Sequence, residues 1–340
     1  MKLRAGIVGI SGYAGVELHR ILTAHPSVSL AALAAGRAAG SALGASWPGL
    51  EGYPLQDIDT PEPARLAEQC DVVFLAMPHG QSAPLAAALL ERGRTVIDLG
   101  ADFRLRDPAA WARTYGSAHP HPERIGDAVY GLPELHRDAL RGTRLVANPG
   151  CYPTATALAA LPLVQGGHAD FVVSDCLSGI SGAGRKPGPR TLYGEVHEQA
   201  VAYAVGGTHR HVPEMEQTLG VPVAFTPHLA PMSRGMLATV TVRLRPDSPL
   251  LDGGIVDLYA EACAPHPAWQ LAPAPPSTRE VRGTGLARVF PTVDPDRRVA
   301  TVTCAIDNLG KGAAAQAVQC MNLAMGLPEM QGVPVHPFLP

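Results

Sequence analysis

A short apolar strand pattern, a glycine-rich turn and a helical pattern open the chain, and this succession limits the fold more than any other feature. Leu3–Val8 reads as a buried strand, Gly9-Ile10-Ser11-Gly12-Tyr13-Ala14-Gly15 as the turn, and Val16–Ala24 as a helix rich in helix formers. Such a turn lets backbone N–H groups approach a pyrophosphate at the helix N-terminus. The spacing is G-x-x-G-x-x-G, with a first interval one residue longer than the usual fingerprint, so an ordinary tight strand-to-helix turn is the alternative. The candidate cofactor contacts here are Gly9, Ser11, Gly12, Tyr13, Ala14 and Gly15.

The elements that follow extend the same reading. Ser27–Ala34 is a second apolar strand ending in Ala35-Gly36-Arg37. A fold that prefers NAD places Asp or Glu there to hold the ribose hydroxyls. Between this strand and Glu51 the chain has no acid and offers Arg37, a cation suited to the extra phosphate of NADP, so NADP(H) is the expected cofactor. Strands at Asp71–Ala76 and Thr95–Leu99, separated by the helix pattern Ser82–Glu91, complete a strand–helix–strand alternation. That alternation predicts an α/β fold with a doubly wound parallel sheet of Rossmann type. Loops at the carboxyl ends of parallel strands face the ligand crevice. Pro78, after the third strand, is a further cofactor candidate, and Arg104, after the fourth, a candidate for a substrate phosphate. A salt bridge from Arg104 to Asp98 or Asp102 is the structural alternative.

Cys151 carries the chemistry. It stands in Asn148-Pro149-Gly150-Cys151-Tyr152-Pro153-Thr154, just ahead of the apolar run Ala155–Leu163, which places its sulfur at a helix N-terminus. Free N–H groups and the positive end of the helix dipole favour thiolate over thiol there, and a thiolate attacks carbonyl carbon. Beyond it come strand patterns at Phe171–Leu177, Val223–Pro227, Gly235–Arg245, Leu286–Thr292 and Arg298–Asp307, with few helices between them. They predict an α+β domain on a mixed or antiparallel sheet. Its loop Ser178–Arg185 could present N–H groups and charge to an anion, making Gly182 a cofactor candidate and Arg185 a substrate one, with a flexible connector as the alternative. In Thr208–Glu216, Pro213 marks a helix start, so His211 stands at its entrance with Glu214 three residues on to fix the ring tautomer. His211, with His209 beside it, is the expected general acid/base. Arg234 could clamp a substrate carboxylate, or be a strand-end charge. Gly312–Met325 is a helix pattern that follows Asp307-Asn308 and is expected to pack back on the first domain, with Asn308 near the cofactor.

Composition removes several classes. Within 340 residues, 27 basic residues face 30 acidic ones, which supplies no basic face for nucleic acid or an anionic membrane. Apolar stretches are too broken for a membrane span, and the N-terminus runs into a strand pattern rather than a secretory signal. Six scattered cysteines without a C-x-x-C pair argue against a zinc site or disulfide framework and for the reducing cytoplasm. No metal is expected.

These motifs together closely resemble the N-acetyl-gamma-glutamyl-phosphate reductase family of the aspartate-semialdehyde dehydrogenase superfamily. The likeness covers nearly the whole chain, through Gly9–Gly15, Phe74–Gly80, Asp98–Leu105, Asn148–Thr154, Ser178–Arg185, His209–Glu214, Pro227–Gly235 and Asp307–Gln319. It implies an NADP-binding domain over 1–150, joined by a C-terminal helix at 311–326, and a catalytic and dimerisation domain over 151–310. It also implies a cysteine nucleophile at Cys151, the histidine pair at His209 and His211, phosphate contact by Arg104, and a homo-oligomer, dimer or tetramer. Asn148 falls in the nucleophile motif as a substrate candidate, whereas Gly310 and Ala315 depart from the residues usual near the cofactor helix. The implied reaction reduces an acyl phosphate to an aldehyde in arginine biosynthesis. A related branch acts on carrier-protein-linked aminoadipyl phosphate but lacks the Pro149 and Tyr152-Pro153 surroundings. Aspartate-semialdehyde dehydrogenase activity competes with this assignment, as does a catalytically dead dinucleotide sensor.

Overall fold

The computed structural model describes residues 2–339, and the chain divides into two units. The first comprises Met1–Pro149 with Ala313–Val333, the second Gly150–Gly312 with Pro334–Pro340. Among the described residues no helix is long and apolar enough to cross a membrane.

The first unit is built on strands β1 (Leu3–Val8), β2 (Val28–Ala34), β3 (Val72–Leu75), β4 (Thr95–Asp98), β5 (Val129–Tyr130) and β6 (Leu145–Ala147). They lie in the order β2-β1-β3-β4-β6-β5, and every pairing is parallel. β3 and β4 are buried at each position, as strands with helices on both faces must be. The period of two divides their side chains between two cores. Val72 and Phe74 join Leu18, Ile21, Val318 and Met321 on one side, while Val73 and Leu75 join Leu66, Ala86 and Leu89 on the other. The helix after β1 runs Tyr13–Thr23, three residues earlier than its apolar spacing suggests, because Gly12 takes the N-cap.

The second unit carries β7 (Val172–Gly179), β8 (Val201–Ala202), β9 (Val223–Ala230), β10 (Met236–Arg243), β11 (Trp269–Leu271), β12 (Ala287–Asp294) and β13 (Val299–Ile306). Their order is β11-β12-β13-β10-β7-β9-β8. The sheet is mixed: β7 with β9 and β11 with β12 are parallel, and the remaining pairs antiparallel. One face packs against the helix Cys151–Gln165, which is buried from Tyr152 to Leu163 and has no polar stripe. That helix runs through Pro162, whose missing N–H removes one bond from the last turn. β10 shows the sheet's two-sidedness, with Met236, Ala238, Val240 and Val242 buried and Leu237, Thr239 and Thr241 half-exposed.

Candidate active site

In the first unit the glycines of the opening turn are dictated by close approach. Gly9 has φ +95°, and a Cβ there would lie 2.2 Å from the carbonyl oxygen of Ala76, at the end of β3. A Cβ on Gly15 would lie 2.2 Å from the Gly9 carbonyl oxygen, so the helix can begin hard against the strand only with glycine at both places. Gly12 caps the helix with no side-chain bond to its first-turn N–H groups, and the nearest atom to a Cβ there is 3.5 Å away. First-turn N–H groups without a side-chain cap fit a pyrophosphate. Ser11, Tyr13 and Ala14 are half-exposed along this turn. Trp47 steadies it, donating from Nε1 to the Ile10 carbonyl at 2.9 Å and lying beside the Tyr13 ring. Arg37 is exposed just beyond β2, and Pro78 is exposed just beyond β3.

The loops after β3 and β4 are joined by Asp102, which the sequence suggests only as a partner for Arg104. Its fully buried carboxylate accepts from Gly80 N at 2.6 Å, Ser82 N at 3.0 Å, Ser82 Oγ at 2.9 Å and Ala83 N at 2.9 Å. Burial, with the Asp102 charge as the next contribution, pushes the Asp98 carboxyl up to about 7. Arg104 is buried and donates from Nε to the Asn148 carbonyl at 2.8 Å and from Nη2 to the Leu99 carbonyl at 2.9 Å. It thereby holds the end of β6. Asn148, 1 % exposed, points Nδ2 at the carbonyls of Pro149 and Ala313, both at 3.4 Å.

In the second unit Cys151 is the first residue of its fifteen-residue helix, with Gly150 as N-cap. It is half-buried, whereas the other five cysteines are buried. Burial pushes Cys70 and Cys176 up to about 12, which leaves those thiols protonated. Glu214, 1 % exposed, accepts the Gly150 N–H at 2.8 Å through Oε1. Spacing along the chain assigns this carboxylate to His211. The bond observed ties the helix Val212–Leu219, which His211 caps, to the start of the Cys151 helix.

His209 sits in an aromatic enclosure of Tyr152, Tyr203 and Phe225, and His211 lies against Tyr152 with its ring centroid 4.8 Å from that of His209. Burial first, and then the Arg210 charge, pushes His209 down to about 4. Its Nδ1 accepts the His211 N–H at 3.1 Å, so the neutral ring carries its proton on Nε2. The two phenols are 2.9 Å apart, and burial raises both above the ordinary tyrosine value.

Residues 4–143 match the family described as semialdehyde dehydrogenase, NAD binding domain, and residues 151–308 that described as semialdehyde dehydrogenase, dimerisation domain. The N-acetyl-gamma-glutamyl-phosphate reductase of Halorhodospira halophila is 48% identical across 99% of this chain and 100% of its own. That of Dehalococcoides mccartyi is 44% identical across 100% of this chain and 99% of its own. The chain belongs to the N-acetyl-gamma-glutamyl-phosphate reductase family. The resemblance of its fold reaches a solved aspartate semialdehyde dehydrogenase of Candida albicans, with TM-score 0.72, 17% identity, and coverage of 96% of this chain and 99% of that one.

In this member of the reductase family, some residues that stand out in the sequence serve the scaffold directly. Arg234, expected as a clamp for a substrate carboxylate, grips Asp307 with its Nε at 3.0 and 3.3 Å, in the segments that continue from the Met236–Ile306 pair of β10 and β13. Asn308 accepts the Gly235 N–H at 2.8 Å and donates to Ser181 Oγ at 2.9 Å, fixing the loop that contains Gly182. Arg185 is exposed on the same loop. Asp307 escapes sequence reasoning, since a single acid after a strand carries no signal until its partners are known.

Proposed function

We propose that this chain reduces N-acetyl-gamma-glutamyl phosphate to N-acetylglutamate semialdehyde and phosphate with NADPH, a step of arginine biosynthesis. The observation that carries the reading is Cys151 at the first position of its helix, with the element bearing His211 bonded through Glu214 to the residue before it. The thiolate attacks the acyl carbon, the carbon–oxygen bond to phosphate breaks, and a thioester remains on Cys151. Gly9–Gly15 would hold the nicotinamide cofactor and Arg37 would pair with its extra phosphate; a cofactor bound there would supply the hydride that reduces the thioester. His211 lends a proton to the thiohemiacetal oxyanion and takes it back as the carbon–oxygen double bond re-forms and the carbon–sulfur bond breaks, releasing the aldehyde and returning the thiolate. His209 is a positioning residue, since its neutral ring anchors the His211 backbone. Glu214 orients the Cys151 turn, and Arg104, Asn148 and Arg185 are assigned to the substrate side.

The remaining assignments follow the same reading. The chain works in the cytoplasm, where six cysteines outside any disulfide stay reduced. It works as a homodimer, through the half-exposed face of the second sheet. The test is the reverse reaction, phosphate-dependent NADP reduction, with N-acetylglutamate semialdehyde and with aspartate semialdehyde. The first substrate is preferred, and Cys151→Ser lowers kcat about a thousandfold or more. Preference for aspartate semialdehyde, or a Cys151→Ser variant within tenfold of wild type, overturns the reading. Preference for NAD overturns the cofactor assignment alone.

A further inference from the structure

Gly312 lies in the π-helical turn Gly310–Ala314 after β13, and its missing side chain lets that turn press on the thiol-bearing residue. A Cβ built there would stand 2.7 Å from Cys151 Cβ, 3.3 Å from Cys151 Cα and 3.2 Å from the Asp307 carbonyl oxygen. All three atoms move only with the backbone, so no rotamer change relieves the overlap. The φ of Gly312 lies outside the left-handed region, so alanine would suffer no torsional strain there. Space alone demands glycine.

The turn is also prevented from retreating. The buried Asp307 carboxylate accepts from Leu309 N at 2.8 Å, Gly310 N at 3.0 Å, Gly283 N and Arg234 Nε. Its carbonyl accepts the Gly312 N–H at 2.9 Å, and the Lys311 N–H donates to the Thr284 carbonyl at 3.1 Å. A Cβ on Gly310 would come 2.0 Å from that same Thr284 oxygen, so the wall behind the turn is backbone as well.

We propose that the Asp307–Gly312 turn is a positioning device for the nucleophile: Asp307 and Arg234 fix the turn, and the Gly312 backbone is the stop against which Cys151 is set. The inference rests on Cys151 being the nucleophile. It makes Gly312 and Asp307 positioning residues, with the Arg234 Nε holding Asp307 in place.

The test compares wild type, Gly312→Ala, Cys151→Gly and the double variant. Alkylation of Cys151 by iodoacetamide is followed against pH by peptide mass spectrometry, alongside kcat and KM. In Gly312→Ala the sulfur is displaced from the helix end, so the alkylation midpoint rises by about half a pH unit or more. The kcat falls about tenfold or more, with KM changed less than about threefold. A glycine that only aids folding would lower Tm and leave the alkylation midpoint in place. An unchanged midpoint with kcat within about twofold overturns the proposal.

If Gly312→Ala is too unstable to assay, thermal unfolding decides. Removing the opposing Cβ in the Cys151→Gly background should recover at least about half of the Tm lost, a coupling expected only of touching residues. No recovery overturns the proposal. Failure of the underlying reading looks different: wild-type Cys151 would alkylate no faster than the other five thiols, and the inference would fall with it.

Discussion

His209 shows how one side chain can be decided by its surroundings. It is 9 % exposed, enclosed by aromatic rings, and held neutral with its proton-binding tendency pushed down to about 4. A histidine whose folded value lies below its unfolded one binds fewer protons folded than unfolded between the two values. Its contribution is therefore complete above about 6.5 and is lost as pH falls towards 4, on the order of 3 kcal/mol in all. His19, His25 and His136 are lowered by burial as well and add in the same direction. Wild type should thus lose Tm steadily from pH 6.5 to pH 4. His209→Phe removes the titrating ring, so its Tm should fall by visibly less over that range, whatever its stability at pH 7.5. Equal losses in differential scanning calorimetry would show that the ring is not held neutral. Loss of the Nδ1 acceptor should lower kcat in the same variant, because the His211 backbone loses its anchor.

At the scale of elements, Asp102 governs the loops that follow β3 and β4. Four donors converge on its carboxylate, and three of them belong to the start of the helix Ser82–Glu91. Asparagine offers one acceptor oxygen and turns an N–H2 group towards those donors. Asp102→Asn should cost about 2–4 kcal/mol, seen as a Tm drop of several degrees. The KM for NADP should rise more than that for the semialdehyde, because the disturbed loop lies on the cofactor unit. Parallel changes in both constants would count against that assignment. This loop also marks the limit of what the sequence discloses. Long strands with a clear apolar period were legible: β1 matches at both ends, and β7, β9, β10, β12 and β13 match within a few residues. β5, β6, β8 and β11 have two or three residues each, too few for any period to emerge. Cys151 at a helix start and His211 at another could be read from neighbouring Pro and Gly residues. The Glu214 bond to Gly150, 64 positions apart, and the Arg234 grip on Asp307, 73 apart, arise from tertiary register, to which local patterning is blind.

For the molecule as a whole, the second sheet raises the question of what its outer face is for. Helices cover the inner face, and along β10 the outward residues are Leu237, Thr239, Thr241 and the exposed Arg243. Register lines these up with Leu177, Asp175 and Val173 of β7 and with Ala305, Thr303 and Thr301 of β13. Further across, Phe290 and Thr292 of β12 pair with Thr303 and Thr301. The patch is mostly β-branched and apolar, Leu177 is 38 % exposed, and its charges are Asp175 on β7, with Arg243 and Arg288 towards its margins on β10 and β12. Flat, weakly charged sheet faces of this kind suit a second identical face related by a two-fold axis, and residues 151–308 match a dimerisation domain. An isologous interface doubles any insult, since each substitution appears on both sides of the axis. Thr241→Arg, flanked by Thr301 and Val173, would bury two guanidinium groups without partners. Sedimentation equilibrium at micromolar concentration should therefore give a dimer for wild type and a monomer for Thr241→Arg, with far-ultraviolet circular dichroism unchanged. A monomeric wild type, or a variant that keeps its dimer mass, would place the contact between copies elsewhere.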